Sequence, residues 1–273
     1  MSKDIIKLGP RLTGIASYVP QGSMLGDIGT DHAYLPVYLT QTGVIRSAVG
    51  VDIHQGPYES ARQTVEQYAL AGSIDIRLGN GLTPLKPGEV DTLSIAGMGG
   101  TTILEILQSK PAVLEGVFTL ILQPQGAEAR VRTELIALGW RLKDECLLEE
   151  DKRIYSILVF TRFEGLGAEE IDSIIEDIRD SFQVYTEKEE SLAKILDKKT
   201  VEEFISKWVW TLGPILLQKK DNYLQKIVTE NIINLDNIVQ EMSKTARTEI
   251  QTKSKMVLKE RKMLEVMYRW LFQ

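Results

Sequence analysis

The chain has 273 residues, enough for one large domain or two ordinary ones. Its 43% hydrophobic and 26% charged residues are an ordinary globular balance, and the single cysteine, Cys146, excludes an intrachain disulfide and a cysteine-based zinc site. The net charge of −6 excludes a chain that is basic overall, while leaving room for local cationic patches. No run of about 20 apolar residues is present, and Met1-Ser2-Lys3-Asp4 opens no signal-type segment, so a cytoplasmic chain with no membrane partner and no metal site is expected.

A leading helix is expected from about Gly9 to Tyr18. After it, short apolar or β-branched runs at Met24–Ile28, Ala48–Ile53, Ile74–Leu78, Thr92–Ala96 and Thr119–Gln123 read as buried strands. Between them Ala33–Thr42, Pro57–Ala71, Thr101–Ser109 and Glu128–Leu138 read as helices, the last stopped by Gly139. Such alternation predicts a parallel α/β sheet with helices on both faces. Trp140–Leu148 and Ile154–Phe163 break the pattern, because only the polar turn Glu149-Glu150-Asp151-Lys152 separates them and they must pair antiparallel. A parallel sheet closed by an antiparallel hairpin is characteristic of Rossmann-like methyltransferases.

From about residue 168 only Gly213 and Pro214 break a sequence rich in Glu, Lys, Leu and Ile, so a boundary falls near Gly165-Leu166-Gly167, dividing the chain into 1–164 and 165–273. The second part reads as all-helical and coiled-coil-like. One stripe runs Leu224, Val228, Ile232, Leu235, Val239, Met242 and another Val257, Leu264, Met267, Leu271, with polar Ser243–Thr252 as the turn of a helical hairpin or as part of one long solvated helix.

The candidate chemistry sits where the strands end. Asp27 ends the first strand, Gly29 lets the backbone approach a ligand, and a helix begins near Ala33. Asp31 occupies what would be the second glycine of a dinucleotide loop. A carboxylate there repels a pyrophosphate but suits an amino group or a sulfonium, which turns the reading from a nicotinamide cofactor toward S-adenosylmethionine. Asp52, 23 residues after Gly29, is placed to accept hydrogen bonds from ribose hydroxyls. Asn80 and Gly81 can meet the adenine edge or simply form an Asn-Gly turn. Gly97-Met98-Gly99-Gly100 leaves backbone amides bare, with Met98 a candidate cofactor contact or a core residue. Gln123 and Gln125 end the fifth strand on the expected substrate side.

Taken together, Arg11-Leu12, Ala16-Ser17-Tyr18-Val19-Pro20, the run Asp27-Ile28-Gly29-Thr30-Asp31-His32-Ala33-Tyr34-Leu35-Pro36, Gly56-Pro57-Tyr58, Ile95-Ala96-Gly97-Met98-Gly99-Gly100 and Leu122-Gln123-Pro124 resemble the bacterial tRNA (adenine-22-N1)-methyltransferases over Leu8 to about Phe160. The resemblance implies methyl transfer from S-adenosylmethionine to N1 of an adenine in the D-arm region of tRNA, and a coiled-coil-like C-terminal domain entered through Gly213-Pro214-Ile215-Leu216-Leu217. Residues 168–207 are longer than the family usually carries.

Adenine N1 has an in-plane lone pair, so transfer calls for positioning and for stabilising a cationic product rather than for a general base. Asp31 is the expected carboxylate near the reacting centre and Tyr34 the expected stacking partner of the target base, while His32 either hydrogen-bonds the base or caps the following helix. Arg11 and Gln123 are the substrate-side candidates. Glu241 to Trp270 carries eight Lys or Arg against four Glu, a local net of +4, which reads as an RNA-facing surface or a solvated helix. A methyltransferase for a small molecule or protein, a nicotinamide-dependent oxidoreductase and a non-catalytic RNA-binding protein are the competing readings. The oligomeric state stays open, with a monomer favoured.

Overall fold

The structure is a computed structural model that describes residues 4–187, 198–244 and 248–273. The chain divides into two compact units, Met1–Ala168 and Glu169–Gln273.

In the first unit the elements run α1 (Pro10–Ser17), β1 (Ser23–Ile28), α2 (Tyr34–Gln41), β2 (Ile45–Asp52), α3 (Gln55–Gln67), β3 (Ile74–Leu78), β4 (Thr92–Met98), α4 (Gly100–Gln108), α5 (Pro111–Leu114), β5 (Thr119–Pro124), α6 (Glu128–Ala137), β6 (Arg141–Glu150) and β7 (Arg153–Thr161). The strands form one seven-stranded sheet in the order β3-β2-β1-β4-β5-β7-β6. The pairs among β1 to β5 are parallel, and β7 is antiparallel to both β5 and β6. Every residue of β5 is buried, as a strand covered by helices on both faces requires. The order reverses between β1 and β4, and the crevice beyond their carboxyl ends is where such a sheet binds its ligand.

Two expectations shift. The short helix α5 was not expected. The hairpin turn is also tighter than the polar run Glu149–Lys152: β6 continues through Glu150, and only Asp151 and Lys152, at φ 50° and 64°, make the turn. Positive φ at both central residues is the two-residue geometry that matches the twist of antiparallel strands. Glu149 and Glu150 can remain in a strand because β6 is the sheet's edge and alternates between core and solvent.

Behind the hairpin, Arg132 of α6 donates from Nε to Glu145 Oε1 of β6 at 2.5 Å, both side chains being almost wholly buried.

The second unit comprises α7 (Ala168–Glu187), α8 (Lys198–Leu212), α9 (Pro214–Lys219), α10 (Leu224–Ser243) and α11 (Thr248–Phe272). Phe182 of α7 packs 5.9 Å from Phe204 and 5.7 Å, edge-on, from Trp270, centroid to centroid. Helices α10 and α11 pair antiparallel: Gln225 Nε2 donates to the Tyr268 hydroxyl at 2.7 Å, and Asp236 pairs with Arg261. Leu224 and Val228 are buried against this unit's core together with Leu264 and Met267, whereas Ile232, Leu235, Val239 and Met242 are half-buried, as a two-helix seam leaves them. Residues 245–247, within the expected turn Ser243–Thr252, and 188–197, within the long stretch 168–207, lie outside the described residues. Among the described residues no helix is long and apolar enough to cross a membrane.

Candidate cofactor and acceptor site

The loop from β1 to α2 is held from below. Asp27, 6% exposed, accepts from Ser94 Oγ at 2.6 Å and from Thr30 Oγ1 at 2.8 Å. Burial pushes its carboxyl above the usual aspartate range and the nearby Asp52 charge adds to that, against the smaller opposing pull of the two hydroxyls. A group whose folded pKa is raised stabilises the fold below its unfolded pKa, about 3.9, and loses that contribution as pH rises through the folded value. Asp27→Asn should therefore match the parent in Tm near pH 3, gain on it by a few degrees toward neutrality, and bind the cofactor about tenfold or more weakly. Thermal melts from pH 3 to 8 check this, and a variant less stable at pH 7 than the parent would contradict it.

Gly29 has φ +76°, and a Cβ added there would lie 2.4 Å from Met98 Cε. The amides of Gly29 and Thr30 both donate to Val51 O, at 2.8 and 3.0 Å, tying the loop to β2. Asp31 (φ 52°) and Ala33 (φ 56°) are also left-handed. Aspartate accepts this conformation readily and alanine does not, but Ala33 is fully buried and opens α2 with no side-chain cap. His32 is therefore not the helix cap, which removes one of its two expected roles. Its ring instead stacks on Tyr34, centroids 5.3 Å apart and planes 19° off parallel, with Nε2 3.8 Å from Asp31 Oδ1. Tyr34 is 42% exposed, so an aromatic face remains open to a ligand.

Asp52 is buried at the end of β2, with Oδ2 accepting from the Asp31 amide at 3.2 Å and Oδ1 from the His54 amide at 3.0 Å. A carboxylate has about four acceptor sites, so two ribose hydroxyls can still be accommodated. The Gly79 amide donates to Asp52 O at 2.8 Å and brings the β3 loop alongside. There Asn80 is exposed, its carbonyl accepting from Thr83 N at 3.0 Å, and Gly81 is buried at φ +52°.

A cleft of about 270 Å³ opens at the β1/β4 reversal, lined by Arg11, Asp27, Gly29, Asp31, His32, Tyr34 and Gly97, with Leu12, Thr30, Leu35, Ser94 and Ala96 completing its walls. Asp52, Asn80, Gly81 and Met98 stand at the same edge of the sheet but do not line this cleft. Gln123, expected on the substrate side, is fully buried behind the cleft wall because its oxygen is taken by Gly97 N and Arg11 Nη1. Gln125 is exposed in the following loop.

Several residues at this edge escaped the sequence reading. Ile53, just past β2, and Leu78, the last residue of β3, are 54% and 46% exposed and place two bare apolar side chains at this edge, where a flat purine can be covered. Both read as strand residues in the sequence. Ser94 carried a weak signal, a hydroxyl within a buried parallel strand, and Thr30 lay within the loop run without a role of its own. Glu150, bonded to Arg11, gave none. Among the described residues no three His, Cys, Asp or Glu are grouped so as to hold a metal ion.

A parallel sheet with a terminal antiparallel hairpin, an acid-glycine loop after β1 and an acid at the end of β2 define a Rossmann-like methyltransferase fold. The methyltransferase-domain family matches residues 8–158, and the chain belongs to that family. It is 42% identical over 154 residues to a Bacillus subtilis tRNA (adenine(22)-N(1))-methyltransferase, a match covering 56% of this chain and 65% of that one, so just under two thirds of the curated relative is spanned. Among solved structures it is similar to the B. subtilis tRNA (m1A22) methyltransferase, at 28% identity over 96% of this chain and 99% of that one, with a TM-score of 0.73. It is likewise similar to a candidate Streptococcus pneumoniae tRNA (m1A22) methyltransferase in complex with S-adenosyl-L-methionine, at 28% identity over 95% and 99% of the two chains, with a TM-score of 0.72.

Proposed function

We propose that this chain transfers the methyl group of S-adenosylmethionine to N1 of adenine 22 in tRNA. The observation that carries the reading is the cleft at the β1/β4 reversal, walled by Asp27 and Asp31 where a pyrophosphate binder needs bare amides. The names of the similar proteins point to the same donor and acceptor.

The residues present fit the donor. Asp52 has acceptor capacity left for the ribose, and Ile53 and Leu78 offer apolar cover for the adenine beside Asn80 and Gly81. When bound, the cofactor supplies an electrophilic methyl on a sulfonium. The chain's own work is positioning: Asp27 and Asp31 place negative charge in the cleft, favouring a cation before and after transfer, and the backbone at Gly97 borders the acceptor. Tyr34, backed by the His32 ring, offers a stacking face for an extruded adenine. No protein group needs to remove a proton from N1.

The helical unit from residue 165 onward is the proposed tRNA-binding part. Lys253, Lys255 and Lys262 are exposed on α11, whereas Arg261 is engaged by Asp236 and Glu265, and Arg247 lies outside the described residues. Binding through phosphates makes affinity fall steeply with salt.

Incubation with S-adenosylmethionine and unmodified tRNA, followed by reverse transcription, tests the reading. Methylation at N1 blocks the Watson–Crick edge, so a stop at adenine 22 is expected, and the absence of any stop at an adenine would refute it. Tyr34→Ala should lower kcat about tenfold or more, in line with the loss of one stacked base, with cofactor affinity nearly unchanged. Single-turnover rates and cofactor titration measure the two separately.

A further inference from the structure

Gln123 occupies a position that its burial alone does not explain. It is 0% exposed, yet its side-chain oxygen is directed at two residues of the cleft wall. Its Oε1 accepts from the Gly97 amide at 3.1 Å and from Arg11 Nη1 at 3.2 Å, and its Nε2 donates to Pro124 O at 3.0 Å. The last bond fixes which way the amide faces, so the oxygen must point toward Gly97 and Arg11. One atom thereby joins the end of β4 to helix α1. On the other side Glu150 accepts from Arg11 Nε at 3.4 Å and from the Arg11 amide at 3.1 Å. The Arg11 guanidinium is held at two of its three nitrogens, and Nη2 makes no hydrogen bond among the described residues. Arg11 is the cation lining a cleft whose other charged walls are Asp27 and Asp31. A sulfonium is drawn to those carboxylates, but an RNA phosphate arriving with the target base is repelled by them.

We propose that Gln123 is a positioning residue that presets Arg11 Nη2 to receive a phosphate of the target nucleotide at the mouth of the cleft. The inference rests on the proposed RNA acceptor. Gln123 touches neither substrate nor cofactor and acts through Arg11. Only an amide meets all three demands: a carboxylate would set an oxygen against Pro124 O, and an apolar side chain would leave the Gly97 amide and Arg11 Nη1 unbonded.

The test uses the full chain and does not depend on turnover. Binding of unmodified tRNA in the presence of S-adenosylhomocysteine is measured across a salt series for the parent, Arg11→Gln, Gln123→Ala, Gln123→Glu and the Arg11→Gln/Gln123→Ala pair. Loss of one phosphate contact lowers the slope of log K against log salt by about 1, and loss of one charged hydrogen bond weakens binding about ten- to a hundredfold. Arg11→Gln and Gln123→Ala should each show both changes. The double variant should be no weaker than Arg11→Gln alone, and cofactor affinity should stay near the parent's in Gln123→Ala. A Gln123→Ala protein with the parent's salt slope, or effects that simply multiply in the double variant, would overturn the proposal and leave Gln123 a core residue. A parent that binds tRNA salt-dependently but gives no reverse-transcription stop would instead count against the proposed reaction.

Discussion

Asp31→Ala should lower methyl transfer by about 10² to 10³-fold or more, the scale on which removal of one preorganised electrostatic group acts, while the protein still folds. The Asp31 carboxylate lines the cleft, and its backbone amide, which donates to Asp52, survives the substitution. What disappears is negative charge beside the proposed reaction, which begins and ends with a cation. The backbone at φ 52° is less comfortable for alanine than for aspartate, so Asp31→Asn is the better-matched partner: it keeps the left-handed preference and removes only the charge. Both variants should show the same loss in single-turnover rate, with Asp31→Asn retaining the parent's Tm. Full activity in Asp31→Ala would remove the residue from the mechanism.

The largest stability effect should come from a place with no part in the chemistry. Glu145→Ala leaves the Arg132 guanidinium buried without its Glu145 partner, and breaking a buried pair from one side costs about 3–5 kcal/mol. For a unit of this size that corresponds to a Tm drop of about 10 °C. Replacing both residues by apolar side chains of similar volume, Arg132→Met with Glu145→Leu, should restore most of the loss, because the cost lies in the desolvation of a buried charge that has lost its Glu145 partner rather than in the missing attraction. Thermal melts of the two single variants and the pair measure this. A pair no more stable than Glu145→Ala would show that α6 and β6 need the ionic contact itself.

The sheet was readable because its strands are near-continuous apolar runs cut by glycine turns, and the acid-glycine spacing from Asp27 to Asp52 follows from strand geometry. Ile74–Leu78 matches its strand end for end. What the sequence could not place were features decided by contacts between distant segments. Glu149 and Glu150 look like turn residues until β6 is known to be an edge. Gln123 looks like a polar residue facing substrate until Gly97 and Arg11 close on its oxygen. His32 has two plausible roles until the left-handed Ala33 takes the helix start and turns the imidazole onto Tyr34. Ile53 and Leu78 are ordinary strand residues in a linear reading and become candidate ligand contacts only where the strands stop side by side.

The bond from Glu150 to the Arg11 amide also bears on the order in which the protein can be assembled. Helix α1 has Gly9 as its N-cap and so no side-chain cap, and the acceptor for its first N–H, that of Arg11, comes from the far end of β6, 139 residues later. A chain emerging from the ribosome can set β1 to β4, and with them the Asp27 and Asp52 loops, well before residue 150 is made. The Arg11 side of the cleft therefore gains its Glu150 contacts only once the β6–β7 hairpin has been made.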